Sequence, residues 1–393
     1  DAVSLSVALS KFTYLGGGES LLAGTFATTS ATKVVIVNQS DVPDALAGAV
    51  LARANLAPVL LSPPSGLPVA VKAEVSRLSP AGAYVIGDTT HLSDQVVKDL
   101  ASAGVDPAQI TRVQGTDAAS TAALVAAQFD RRLPAEKAAG SPAFDAAVIA
   151  NPGSPDASAA SALAAARRLP ILYVSAGSIP PATAAALSSL NVKKTLVVGG
   201  ARWVSDALLG QLPAASRLGG ADQYATSRAV VAESRARGLP GNVVYVANGS
   251  HPMDAALLGA AVGRLTGMMV LSRAPLYATA PSTASAFGLS GIDQFVVVGP
   301  SSPPVVTHYR LTNNPFVVGR RRTPRSGHAA RGSRHKTGTT FKYTLSEAAT
   351  VKIVIGERFA GRRNGKRCLT PTSKLRHARR CTRLFTIGTL SLA

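Results

Sequence analysis

The sequence predicts an α/β chain of three tandem, doubly wound parallel-sheet units, followed by a small β-rich segment. Three observations carry that expectation. Three stretches align by eye: KVVIVNQSDVPDALAGAVLARANLAPVLLS from Lys33, DAAVIANPGSPDASAASALAAARRLPILYVS from Asp145, and NVVYVANGSHPMDAALLGAAVGRLTGMMVLS from Asn242. Self-similarity at a fixed period marks a repeat architecture. Their landmarks also keep register. Asp44, Asp156 and Asp254 open Ala-rich stretches, and Gly87, Gly199 and Gly299 end later apolar runs, at spacings of 43, 43 and 45 residues. After Gly299 the composition turns basic and the apolar pattern changes to alternation.

Within a unit the strand and helix patterns alternate. Val34–Val37 is a continuous apolar run, as expected of a strand covered on both faces. Pro43-Asp44 and Pro155-Asp156 place a proline at a helix start and a carboxylate in its first turn. Contact with a ligand is the other reading of these acids. Val71, Val75 and Leu78 follow a helix stripe, and Tyr84–Ile86 is a second buried strand. Ser93 then caps a helix with Val96, Val97 and Leu100 inside. Such alternation, with right-handed crossovers, gives each unit a Rossmann-like wind. Gly87, Gly199 and Gly299 read as tight strand-to-helix turns, on the edge where open α/β sheets bind ligands. RVQGTDAAST from Arg112 and RLGGADQYAT from Arg217 open the second and third units, and a degenerate counterpart begins at Tyr14. The chain thus reads as repeats over 10–111, 112–216 and 217–300, a basic linker over 301–338, and an incomplete β module over 339–393.

The net charge of +20 is localised. Residues 1–300 carry 21 basic and 19 acidic residues, whereas residues 301–393 carry 20 and 2. A blocky basic tail suits a polyanion, and Arg320–Lys336 reads as a solvated arm. Beyond it, Phe341, Tyr343 and Leu345, then Val351, Ile353 and Ile355, alternate with polar residues as a hairpin would. A last strand is expected near Leu384–Ile387. The two cysteines, Cys368 and Cys381, enclose a short loop and read as a disulfide of an oxidising compartment, with free thiols as the alternative. A zinc site is poor, because there is no C-x-x-C and His377 alone does not complete a ligand set. The start at Asp1, with no signal segment, suggests a mature or trimmed chain. No run of eighteen apolar residues occurs, Arg264 breaking the best candidate.

The PDAL of Pro43–Leu46, the PDAS of Pro155–Ser158 and the PMDAAL of Pro252–Leu257 resemble the cell-wall-binding repeat type 2 family. So do the PVLL, PILY and MMVL stretches, the glycine turns and the R-x-x-G-x-D-x-x-x-T motifs, over roughly residues 10–305. The resemblance implies three Rossmann-like modules in a pseudo-threefold arrangement, of the kind found in triplets on surface and S-layer proteins of Gram-positive bacteria. It also implies non-covalent binding of an anionic secondary wall polymer, a polysaccharide or one of teichoic type. Carried over, the polymer-binding residues are Arg112 and Arg217, with Val59, Leu60, Leu61, Ile171, Leu172, Tyr173, Met269, Val270 and Leu271. Asp44, Asp156 and Asp254 join them. Buried central strands and salt bridges between modules are the bland readings of the triplets and the arginines. The departures are Tyr14 in place of the first arginine, Ala118 and Gln223 in place of a second one, Tyr173 for leucine, and methionines in the third stretch. Fewer cations imply a weaker charge contact with the polymer.

No G-x-S-x-G, H-E-x-x-H, P-loop or G-x-G-x-x-G is present, and His91 and His251 sit in loops of different units. The expectation is therefore a non-catalytic, extracellular wall-anchoring protein with no cofactor and no metal. The alternatives are an accessory or targeting part of an amidase-type wall hydrolase, and a nucleic-acid binder. The last rests on charge alone, without aromatic residues among the basic ones.

Overall fold

The computed structural model describes residues 1–14, 30–129, 146–241, 243–265 and 267–273, strand segments at 294–298, 306–311, 341–345, 351–364 and 367–369, and residues 377–392. The chain divides into two compact units, residues 1–302 and 303–393.

The apolar runs of the first unit become parallel strands. β1 (Lys33–Asn38), β2 (Val59–Ser62), β3 (Gly82–Ile86) and β4 (Ile110–Val113) form one sheet in the order β2-β1-β3-β4. β5 (Ala146–Ala150), β6 (Ile171–Tyr173), β7 (Lys194–Val198) and β8 (Ala215–Leu218) repeat that order as β6-β5-β7-β8. β9 (Val243–Asn248), β10 (Met268–Ser272) and β11 (Gln294–Val298) repeat its first three positions as β10-β9-β11. Register is kept as well: Val35 faces Val59 and Tyr84, Val148 faces Ile171 and Leu196, and Tyr245 faces Met269 and Val296. Val34–Val37 is fully buried, as a strand with helices on both faces requires.

Helices α1 (Ala2–Thr13), α2 (Val42–Ala54), α3 (Val69–Leu78) and α4 (Asp94–Ser102) accompany the first sheet, and α5 (Ala118–Ala126) lies along β6 of the second. α6 (Ser161–Arg167), α7 (Pro181–Ser189), α8 (Asp206–Leu209), α9 (Gln223–Ala236) and α10 (Pro252–Leu265) accompany the others. The Val71, Val75 and Leu78 stripe of α3 is buried. Ser93 precedes α4 without a side-chain cap bond, and Val97 is only half-buried. Asp99 turns inward instead, accepting from Lys72 Nζ at 2.7 Å and Leu67 N at 2.8 Å.

The helix starts expected at Pro43-Asp44 and Pro155-Asp156 both carry the proline at their opening and the acid in the first turn. The α2 cap is Asp41, whose carboxylate accepts from Asp44 N at 3.0 Å, with Pro43 one step inside. The Pro155 stretch opens a turn of 3-10 helix, Pro155–Ala160, before α6 begins. The counterpart of the R-x-x-G-x-D helices is not at Tyr14. Asp1, Asp117 and Asp222 each cap a helix by accepting from the backbone N three residues on, in α1, α5 and α9. Tyr14 ends α1 and is buried, its hydroxyl donating to Ala57 O at 3.0 Å. Five residues after the capping acid, Ser6 Oγ accepts from Leu61 N (3.2 Å) and Ser227 Oγ from Leu271 N (3.0 Å). The position is Ala122 in α5.

α2, α6 and α10 pack against one another at the centre. Small residues let them approach: Gly259 lies on Ser161, and Gly263 on Ala165 and Ala166. Arg53 Nε donates to Gly263 O at 2.9 Å, and Tyr173 Oη to Pro43 O at 2.7 Å, so side chains of one repeat satisfy the backbone of another.

In the second unit, β12 (Val306–Leu311) pairs antiparallel with β13 (Phe341–Leu345). The expected hairpin of 341–345 with 351–355 is therefore not formed, and part of the expected linker is strand. β14 (Val351–Asn364) pairs instead with β16 (Arg380–Leu392) on one side and β15 (Arg367–Leu369) on the other. Cys368 stands opposite Arg363 and Cys381 opposite Gly361. The cysteine side chains and the basic arm of 320–336 lie outside the described residues.

Candidate functional site

The carboxyl edges of the first two sheets carry the same set of polar groups. An asparagine ends the first strand of every repeat: Asn38, Asn151 and Asn248. Each Oδ1 accepts from the backbone N two residues on, of Ser40 (2.8 Å), Gly153 (2.9 Å) and Ser250 (3.0 Å). This Asx turn aims the chain toward the helix. Across the edge, Asn38 Nδ2 donates to His91 O at 2.6 Å and Asn151 Nδ2 to Trp203 O at 3.1 Å. These asparagines were missed in the sequence, although N-x5-D or N-x4-D precedes every repeat acid.

The glycine turns then meet the acids. Gly87 and Gly199 adopt φ of +107° and +110°, where an L side chain is strained. A Cβ built on them would lie 3.4 Å from Asp44 Oδ2 and 3.2 Å from Asp156 Oδ2. Gly299 lies outside the described residues. Asp44, Asp156 and Asp254 are all buried. Burial, then the neighbouring Asp41, pushes Asp44 up to about 7. Burial pushes Asp254 up to about 6, against the pull of His251. Asp156 Oδ2 receives Ser154 Oγ at 3.2 Å, whereas Asp156 Oδ1 and Asp254 Oδ2 are buried with no hydrogen-bond partner among the described residues. In the first repeat, His91 Nδ1 lies 2.9 Å from Asp88 Oδ1 and that contact holds the imidazole above its usual range, while the Thr90 hydroxyl first, and His91 second, hold the Asp88 carboxyl well below its own.

Arg112 and Arg217 fasten the loops that follow the glycines. Arg112 Nη1 donates to Gly87 O (2.9 Å) and Leu92 O (2.8 Å), and Nη2 lies 3.4 Å from Asp94. Arg217 donates to Gly199 O (2.7 Å), Val204 O (2.7 Å) and Asp206 Oδ1 (2.8 Å). Each arginine sits on the fourth strand of a sheet, β4 or β8, and fastens loops of that same sheet. Replacing Arg217 by methionine orphans two carbonyls and is expected to cost about 2–3 kcal/mol in urea unfolding. An unchanged midpoint would mean that the fork is dispensable. The apolar triplets Val59–Leu61, Ile171–Tyr173 and Met269–Leu271 lie within β2, β6 and β10, each residue at most 5 % exposed. The structure thus brings Arg112, Gly87 and Asp44 to one sheet edge, brings Arg217, Gly199 and Asp156 to the next, and leaves the triplets inside. No helix among the described residues is long and apolar enough to cross a membrane.

Repeated parallel sheets with hydrogen-bonded loops at their carboxyl edges define a tandem-repeat binding module. Residues 1–97 and 112–209 match the family model of cell wall binding domain 2 (CWB2). The chain carries CWB2 repeats in tandem, and its role is cell-wall binding. It is 27 % identical over 280 residues to the N-acetylmuramoyl-L-alanine amidase LytC of Bacillus subtilis (strain 168), a match that takes in 71 % of this chain and 52 % of that protein. The chain therefore spans about half the length of that relative. Its fold is similar to Cwp6 from Clostridium difficile (TM-score 0.62, 23 % identity, 77 % of this chain and 44 % of that one). Cwp8 from the same organism is similar too (TM-score 0.61, 22 % identity, 77 % and 48 %).

Proposed function

We propose that this is a non-catalytic anchor that holds its bearer on the surface of a Gram-positive cell by gripping an anionic secondary wall polymer. The observation that carries it is the frame of asparagine, buried acid, glycine turn and arginine, repeated at the carboxyl edges of successive sheets. Such an edge is where open α/β sheets seat ligands. In this reading the three units are Rossmann-like modules about a pseudo-threefold axis, the third running to residue 300. The polymer meets the loops at the strand ends, with Asp44, Asp156 and Asp254 beneath them. Arg112 and Arg217 hold those loops in place. The triplets of β2, β6 and β10 have no surface to offer, so they act by setting where the loops stand. The basic second unit adds charge contacts that counterion release makes salt-sensitive.

The test is sedimentation of the chain with Gram-positive walls, native or stripped of phosphodiester-linked polymer by hydrofluoric acid. Residues 1–302 are expected to pellet with native walls and stay soluble with stripped ones, at low and high salt. If only the full chain binds, and high salt abolishes it, the repeats are not the binder.

A second reading follows from the amidase relative: the chain targets a wall hydrolase whose catalytic part lies elsewhere. Release of soluble peptidoglycan fragments by the pure chain would instead give it a catalytic role of its own. Cys368 and Cys381, which enclose a short loop in the sequence, are proposed to form a disulfide. Intact mass before and after reduction is expected to differ by about 2 Da, and alkylation of the unreduced chain would refute the bond.

A further inference from the structure

The second repeat differs chemically from the first on this edge. Four residues after the glycine turn stands His91 in the first repeat and Trp203 in the second, each with its carbonyl held by the strand-end asparagine. Around His91 the neighbours are acids, Asp88 at 2.9 Å and Asp41 at 3.7 Å. Around Trp203 the neighbour is a cation: the exposed Arg202 guanidinium lies 4.5 Å from the ring centroid. Among the described residues no carboxylate lies within ion-pair reach of Arg202.

We propose that the mouth of the second sheet is a subsite for an acidic sugar residue, with Trp203 as its platform, Arg202 as its anion contact and Asp156 as its hydroxyl acceptor. This rests on the wall-polymer reading above and assigns the contact to one repeat.

Three features support it. The platform is built before any ligand arrives. Asn151 holds Trp203 O, Trp203 N donates to Gly200 O at 3.0 Å, and Arg217 fastens Gly199 and Val204 on either side. Preorganisation of this kind spares the ordering cost of binding. The ring is half-buried, and Gly153 lies beside it, a Cβ built there standing 3.9 Å from its Cζ3. Last, Asp156 is 3 % exposed and lies against Gly199, where the same loop begins. Its Oδ1 accepts no hydrogen bond among the described residues, and a buried acceptor without a donor is costly. A sugar hydroxyl supplies that donor. The C–H face of the pyranose covers the indole, and its carboxylate or phosphate meets Arg202.

Trp203 is the one tryptophan of the chain, so its fluorescence reports this place alone. The full chain is titrated with three soluble fractions: a phosphodiester wall polymer, a uronic-acid wall polymer and a neutral peptidoglycan glycan. A single-stranded oligodeoxynucleotide is the fourth probe. A saturable emission shift is expected with one or both anionic glycans and none with the neutral one. Which of the two responds tells phosphate from carboxylate. Arg202→Gln is expected to weaken that binding about tenfold, a loss of about 1.4 kcal/mol. Asp156→Asn should weaken it as well, and Trp203→Phe, which has no tryptophan emission and is read by sedimentation with native walls, should retain most of it. Because Arg202 is exposed, its variant should melt with the parent, which separates binding from folding. If native walls pellet the protein while emission stays flat and Arg202→Gln binds as the parent does, the subsite is wrong and the anchor reading stands. If walls do not pellet the protein either, both fall. A stronger saturable response to the oligonucleotide would replace the sugar with a nucleotide and overturn the proposal.

Discussion

Valine in place of Gly263 is expected to cost about 3 kcal/mol or more and to lower the melting temperature by roughly 10 °C, or to leave the protein insoluble. Gly263 sits where α10 crosses α6. A Cβ there would lie 2.5 Å from Ala165 Cβ and 2.9 Å from Ala166 N. Neither neighbour is a flexible tip that could turn aside, so the helices themselves must separate. Separation would also break the Arg53 bond to Gly263 O. Gly48 in α2 supplies the contrast. A Cβ at Gly48 meets the far end of Ile86 at 2.9 Å, which can swing away, and alanine is the better helix former. Gly48→Ala is expected to change stability by less than about 1 kcal/mol. Equal losses at both positions in calorimetry would show that the seam at α10 is not specially tight.

The second large effect is on pH dependence. Asp44 and Asp254 hold their protons to about 7 and about 6 in the folded chain, well above the ordinary carboxylate value of 3.8. Between pH 4 and 7 the folded state keeps protons that the unfolded state has released. Unfolding is therefore increasingly favoured as pH rises through that window, by up to about 1.4 kcal/mol per pH unit for each acid. The stability these acids lend is fully present below pH 4 and gone above pH 7. The melting temperature should fall from pH 5 to pH 7.5 and then level. Asp44→Asn and Asp254→Asn together should flatten that fall and raise stability at pH 8. The raised His91 acts in the same direction, so the informative quantity is the difference between parent and double variant. Parallel pH curves for the two proteins would mean that the acids ionise normally.

The contacts that the sequence announces are those made by neighbours along the chain. The spacing of 43 residues between Asp44 and Gly87, and between Asp156 and Gly199, was legible, and the two groups are neighbours in space, a Cβ built on each glycine lying 3.4 and 3.2 Å from the acid. Strand, turn and helix are each coded locally, so their period survives as a pattern of residue types. The role of Asn38 was not legible, because its partner His91 O is 53 positions away and is a backbone atom with no residue signature. The same holds for Arg112, which was expected to face a polymer or another module and meets the carbonyls of Gly87 and Leu92. Tyr14 misled because the reading looked for an arginine motif, whereas the helix cap needs only the acid, and Asp1 supplies it. In the second unit, adjacency suggested pairing 341–345 with 351–355, but alternation specifies a strand and not its partner. The burial of all three apolar triplets follows from their continuity, which suits a strand with both faces covered.

The hydroxyls that α1 and α9 place on Leu61 N and Leu271 N have a consequence for contact between copies of the chain. β2 and β10 are outermost strands in their sheets, and an outermost strand with open amides invites a strand from another copy. Ser6 and Ser227 occupy one such amide each, and the helices that carry them lie along the strand. In the second repeat α5 lies along β6 with Ala122 at that position, so cover there rests on packing alone. Copies crowded side by side on a wall can therefore touch without knitting their sheets together, and β6 is where that resistance to fibre formation is thinnest.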